Sequence, residues 1–310
     1  MRHARTVRST EVNRGMPQGP VQGSFGIWDS SCTEWKVCYP ETTMYPMLRA
    51  SKLMPSLATS VLLACGLLTT ACSQRSTITS IEQLGGKQVA VPTGTVADKL
   101  VASKIPDAKF LYFNSVLDSA MAVKAHKADA AAYDEPILRN IAGKNPGLTV
   151  LPTPITVDDY GFAVRLGDQT LKDAIDGVVR DARADGTYQQ MLDRWLPKQG
   201  APGAMPSLPV GDGSGGVLRF GTAPVTEPFS FVDGTQSVTG LDVELAKRVA
   251  ARLNKRIEVV SMDFGGMIPA LKASKVDMIG ACITITDERK KSVLFSEPYY
   301  KGGISALVRQ

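Results

Sequence analysis

Apolar positions fall into two series of alternating strands and helices, separated by a stretch rich in Pro, Gly and Ser. In the first series, residues 88–91 form a short apolar run between Gly86-Lys87 and Pro92-Thr-Gly94-Thr95, which predicts a strand ending in a turn. Ala97, Leu100 and Val101 then recur at helical spacing over 96–104. A second strand is expected at 109–113, and a helix at 116–125 with Leu117, Met121 and Val123 facing inward. Residues 128–133 are an unbroken run of small and apolar side chains, which suits a strand covered on both faces. Asp134-Glu-Pro136 opens a helix to Ile141, with proline in the first turn where helices accept it. Strands follow at 148–151 and 161–166. From 169 to 195 the period is 3.6, with Leu171, Ile175, Val178 and Val179 on one face and Gly186 dividing two helices.

After the linker 199–214, the second series runs strand 217–221, helix 242–253, strand 256–261, helix 266–273 and strand 276–281. Leu245, Val249 and Leu253 set the helical face of 242–253. A helix is expected from Thr284 to about Val293, and the last element is an apolar strand at 303–308. Such alternation predicts an α/β architecture with largely parallel sheets.

The longest apolar run, 57–71, is too short for a comfortable membrane span and has the size of a secretory core. It is preceded by Arg49 and Lys52 and ends in Leu67-Leu-Thr-Thr-Ala-Cys72-Ser. That ending resembles a bacterial lipobox, in which the cysteine is acylated and becomes the mature N-terminus; Thr69 stands where an aliphatic residue is usual. Because Met47 opens an ordinary n-region, residues 1–46 are read as an upstream extension and 47–71 as the signal. A cleaved signal with an incidental cysteine is the alternative.

Composition narrows the classes. The chain has 310 residues, 44% of them hydrophobic, enough for one two-lobed unit. Its net charge of +5 is concentrated before residue 54, where seven Lys/Arg meet four acids, so the body carries no footprint for nucleic acid. With two histidines, His3 and His126, imidazole triads and most zinc sites are unavailable, and no metal or cofactor is expected. His126 reads as a solvated helix end. Of five cysteines only Cys282 lies in the expected folded body, so no intramolecular disulfide is expected.

Three segments carry a resemblance: Asp263-Phe-Gly-Gly-Met-Ile-Pro-Ala-Leu271, Cys282-Ile-Thr-Ile-Thr-Asp-Glu-Arg-Lys-Lys291 and Phe295-Ser-Glu-Pro-Tyr-Tyr-Lys-Gly-Gly303. They resemble the first lobe of the polar amino-acid binding proteins of ABC importers, periplasmic solute-binding protein family 3. Gly86-Lys-Gln-Val-Ala-Val-Pro-Thr-Gly-Thr95, Ala128-Asp-Ala-Ala-Ala-Tyr-Asp134, Tyr160-Gly-Phe-Ala163 and Gly186-Thr-Tyr with Arg194-Trp195 resemble the second lobe and closing helices. The resemblance implies a two-lobed type II binding fold with a hinge. The order is inverted relative to the family: a tether at 72–79, the second lobe at 80–164, helices at 165–198 packing on the first lobe, the linker, and the first lobe at 215–310. A circular permutation explains this, the cut falling at one hinge strand so that one hinge connection is held by strand pairing alone. A fragment of a tandem array is the competing explanation.

A zwitterionic ligand needs a cation for its carboxylate and an anion for its ammonium. Arg289 offers a bidentate fork, and Thr284, with the N–H groups where its helix begins, adds donors. Asp134 is either a helix N-cap or, as the resemblance implies, the ammonium's partner. Gly94 and Thr95 form a turn at the C-terminal end of a strand, a usual ligand position in such sheets. The resemblance also implies a backbone carbonyl from Ala281, walls from Phe264 and Phe229, and Tyr133 and Thr226 in the side-chain pocket. Thr226, Pro92 and Tyr133 depart from residues common in relatives, and Cys282 replaces a common glycine, so the ligand class is legible but not the ligand. The function implied is capture of a polar amino acid by a monomeric lipoprotein, anchored at a bacterial membrane on the periplasmic or cell-surface side and serving an ABC permease. A cyclohexadienyl dehydratase-like enzyme using Glu227 or Glu135, and a sensory lobe, are the alternatives.

Overall fold

The computed structural model describes residues 77–198 and 200–310; the signal, the lipobox and Cys72 lie outside the described residues. The first series folds as β1 (Gln88–Pro92), α1 (Ala97–Lys104), β2 (Lys109–Phe113), α2 (Val116–Lys124), β3 (Ala130–Asp134), α3 (Glu135–Lys144) and β4 (Leu148–Val150). Along β3 the pleat divides the small side chains between two cores. Ala131 and Tyr133 pack with α2 and α3, while Ala130 and Ala132 pack with Val101 of α1 and with Ile78 and Leu84. Small residues are needed there because helices press on both faces.

The chain then leaves this sheet through β5 (Asp158–Tyr160) and enters another at β6 (Ala163–Val164). Two helices follow, α4 (Gln169–Ala184) and α5 (Thr187–Trp195). After the linker come β7 (Val217–Thr222), the short strands β8 (Val225–Thr226), β9 (Ser230–Val232) and β10 (Val238–Thr239), and α6 (Leu241–Arg252). The remaining elements are β11 (Arg256–Ser261), α7 (Met267–Lys272), β12 (Met278–Ile279), α8 (Asp287–Lys290), β13 (Leu294–Phe295), β14 (Tyr300–Gly302) and β15 (Ile304–Arg309).

Two five-stranded sheets define two lobes, ordered β2-β1-β3-β15-β4 and β11-β7-β12-β6-β13. Each borrows one strand from the other series: β6 lies antiparallel between β12 and β13, and β15 antiparallel between β3 and β4. The crossing segments pair as a ribbon, β14 against β5, with Tyr300 opposite Tyr160 and Gly302 opposite Asp158.

This connectivity corrects the expected hinge. Both crossings are continuous chain, at 158–164 and 295–304, so neither depends on strand pairing alone. The strand 303–308, expected within the first lobe, instead lies between β3 and β4 in the second lobe's sheet, where Ile304–Val308 is buried.

Helices α4 and α5 pack on α6. The anchor is Glu244, a fully buried acid that accepts from Trp195 Nε1 at 2.7 Å, Arg194 at 2.7 Å and Arg248 at 2.7 Å. Burial of a carboxylate is tolerated when its lone pairs are filled in this way. The linker residues 200–214 run without regular structure back to β7, and Gly203 N donates to Arg194 O. Among the described residues no helix is long and apolar enough to cross a membrane.

Candidate functional site

The strand β3 delivers Asp134 to the inner end of its sheet. The residue is 4% exposed, and its side chain makes no cap to α3, which removes the N-cap alternative. Instead its carboxylate faces the other lobe: Tyr160 donates its hydroxyl to Oδ1, and Cys282 Sγ lies 3.7 Å from Oδ2. Burial pushes Asp134 up to about 7, although Tyr160, Cys282 and the charge of Arg289 pull the other way.

Arg289 comes from the other lobe, on α8. That helix begins at Asp287 with Thr286 as N-cap, whose hydroxyl accepts the Arg289 N–H at 3.2 Å. Expectation and structure differ here: Thr284 does not start the helix, and no free N–H groups from that turn join it. Thr284 sits in extended backbone bridged to Tyr160 and is buried. Its carbonyl accepts from Arg289 Nη1 at 3.0 Å, and the guanidinium lies 5.4 Å from the centroid of the Phe264 ring. Desolvation lowers the Arg289 pKa, partly offset by Tyr133 and Asp134. Among the described residues no carboxylate is within ion-pair distance of this largely buried cation.

Gly94 and Thr95 sit where the lobes touch. A β-carbon on Gly94 would lie 2.8 Å from the Gly265 Cα, and its φ of 79° is in the left-handed region. Thr95 spends its hydroxyl on Pro92 O at 2.9 Å, closing the turn. On the rim Lys99 reaches Glu288 across the cleft at 2.6 Å. Phe229 is fully buried, its ring edge-on to Tyr160 at 5.9 Å and Tyr300 at 5.2 Å, so it packs beneath the crossing ribbon. Thr226 is buried with its hydroxyl turned to Ala223 O at 3.1 Å. Tyr133 and Ala281 are buried beside Asp134 and Cys282 in sequence. The two acids considered for catalysis are engaged in ion pairs: Glu135 with Arg139 and Glu227 with Lys144.

Asp242 is the group that sequence reasoning missed. It is fully buried at the start of α6, accepts the Cys282 N–H at 2.9 Å, and is pushed up to about 7 by burial. The nearby Tyr299 hydroxyl faces this carboxyl and pulls it the other way. The signal was present in Gly240-Leu-Asp-Val-Glu244, where two acids interrupt the buried first turn of an amphipathic helix.

Residues 218–310, which carry Arg289, Phe264 and Cys282, match the sequence profile of the bacterial extracellular solute-binding proteins, family 3. Over this stretch the chain is similar to that family. An arginine-binding extracellular protein of Bacillus subtilis is 45% identical over 83 residues, 27% of this chain and 32% of that protein. An ABC transporter glutamine-binding protein of the same organism is 30% identical over 122 residues, 39% of this chain and 45% of that protein. Domain 1 of the arginine-binding protein TmArgBP, solved with arginine, is 41% identical, covering 31% of this chain and 81% of that one, with a TM-score of 0.28. The matched stretch is thus a third to just under half the length of these two curated relatives. The relatives are amino-acid-binding proteins rather than enzymes.

Proposed function

We propose that this chain is an extracytoplasmic binding protein that captures a polar amino acid between its two lobes and delivers it to an ABC importer. One observation carries the reading. A buried carboxylate without a cation, Asp134, and a buried guanidinium without an anion, Arg289, come from opposite lobes, each close enough to influence the other's titration. A zwitterion supplies both missing partners at once. Isolated buried charges are costly, so closure is favoured when the ligand brings the counter-charges. The family relatives bind arginine and glutamine by their names, and the same backbone-recognition groups suit either.

The mechanism is hinge closure about the ribbon of β5 and β14. Arg289 and Phe264 move with one lobe and Asp134, Gly94 and Thr95 with the other, so the ligand touches both sets only when the lobes meet. The closed form is the one the permease reads. Export and acylation at Cys72 would hold the monomer at the membrane surface. The inverted order of the halves fits a circular permutation: Ile78 and Leu84 pack in the same cluster as Ala306 and Val308, the segments that run consecutively in the family pattern.

Thermal denaturation of the purified chain with each of the twenty amino acids tests the reading. One or a few should raise the melting temperature, and the rise should be much smaller in Arg289→Ala. A cooperative transition unmoved by all twenty would overturn it.

A further inference from the structure

Cys282 occupies an unusual place in this site. Its φ is 47°, where residues with a β-carbon are strained and glycine is at ease. It is 1% exposed and held from both lobes: its N–H by Asp242 Oδ2 at 2.9 Å, and its sulfur against Asp134 Oδ2 at 3.7 Å. The thiol therefore crosses the cleft to the carboxylate assigned above to the ligand's ammonium.

We propose that Cys282 is a specificity-determining residue of the ammonium subsite, its thiol filling the volume beside Asp134 Oδ2 and restricting that face to an unsubstituted ammonium. The proposal rests on the reading of Asp134 as the ammonium's partner. Donor accounting supports it. An ionised carboxylate offers about four lone-pair directions. The Tyr160 hydroxyl takes one on Oδ1, and the thiol lies against Oδ2 as a weak donor. What remains fits one compact –NH3+ group, whose other hydrogens turn to the Ala281 carbonyl. A secondary ammonium, whether N-methylated or part of a ring, places a carbon where the sulfur already sits. The thiol cannot easily withdraw. Asp242 pins the Cys282 backbone, and the residue is itself 1% exposed. Glycine would open that volume without backbone strain, whereas serine would leave a donor on a smaller atom.

Calorimetric titration of the full chain with L-glutamine, L-arginine and L-histidine, each against its Nα-methyl derivative, tests this in wild type, Cys282→Gly and Cys282→Ser. The wild type should prefer at least one primary amino acid by about tenfold or more, the usual worth of one carbon in a tight pocket. Cys282→Gly should shrink that ratio by roughly tenfold, with Cys282→Ser between. A ratio unchanged in Cys282→Gly, with primary binding intact, overturns the proposal even if the melting temperature rises, since relief of strain alone would give that. Wild-type protein that binds none of the twenty amino acids overturns the underlying reading instead.

Discussion

Two buried carboxyls make this part of the protein a source of instability near neutral pH. Asp134 and Asp242 ordinarily titrate near 3.8, and burial pushes both to about 7. Between roughly pH 4 and 7 the native state therefore holds more protons than the unfolded chain, and the stability of the free protein falls as pH rises through that window. The carboxyls of Asp233 and Asp277, held low by hydrogen bonds from Thr235 and from Arg219, act in the opposite sense but only in the acid range. Around Asp134 the interacting groups are Tyr160, Cys282, Arg289, Asp158, Tyr133, Asp242 and Tyr300; Arg289 is the cation among them. Asp134→Asn should thus melt at a higher temperature than wild type at pH 8, by an amount worth up to a few kcal/mol, and the difference should narrow at pH 5. The same substitution should weaken amino-acid binding sharply, though not abolish it. In the wild type an incoming ammonium favours the ionised carboxylate, so binding releases protons near pH 7 and weakens as the pH drops. Titration calorimetry in two buffers of different ionisation enthalpy reads that proton directly.

Individual elements show where the pattern of the sequence was legible. The run 128–133 predicted a strand covered on both faces, and β3 is one, its alanines packed between helices on either side. The period over 169–195 likewise gave α4 and α5. Short or pinned strands were not legible. The expected strand 161–166 contracts to Ala163–Val164 because the Phe162 N–H is taken by Ser296 Oγ at 3.0 Å rather than by a ladder partner. The small strands β8, β9 and β10, two or three residues each, carry too few positions to show any alternation. Arg289 was legible from its motif, but its helix has one turn and its start depends on which threonine caps it. Thr286 does so rather than Thr284, a choice that only the fold reveals. Asp242 was hidden for the opposite reason: an acid in a helix's first turn reads as a dipole partner until its burial is known. A prediction belongs to the α5–α6 contact. Glu244→Ala would leave Arg194, Arg248 and the Trp195 N–H without their shared acceptor, and unfolding in urea should show a loss of about 3 kcal/mol.

At the scale of the molecule, the two lobes exchange strands through one ribbon, so the proposed closure would be a rotation about β5 and β14 rather than an unfolding of either sheet. The Lys99–Glu288 pair spans the cleft, but both side chains are mostly exposed and solvent screens their attraction. Glu288→Ala should therefore weaken ligand binding less than about fivefold, and the effect should vanish in high salt. Contact of backbones matters more. Gly94→Ala would drive a β-carbon into Gly265, so the variant should fold yet fail to compact on adding ligand, as small-angle scattering would show.

The central claim is that one zwitterion bridges Asp134 and Arg289. Its most direct test pairs the amino acid that binds wild type most tightly with two analogues, one lacking the ammonium and one lacking the carboxylate, against wild type, Asp134→Asn and Arg289→Ala. Wild type should reject both analogues. Asp134→Asn should lose discrimination against the deaminated analogue alone, and Arg289→Ala against the decarboxylated one alone. Discrimination left intact in both variants would contradict the account.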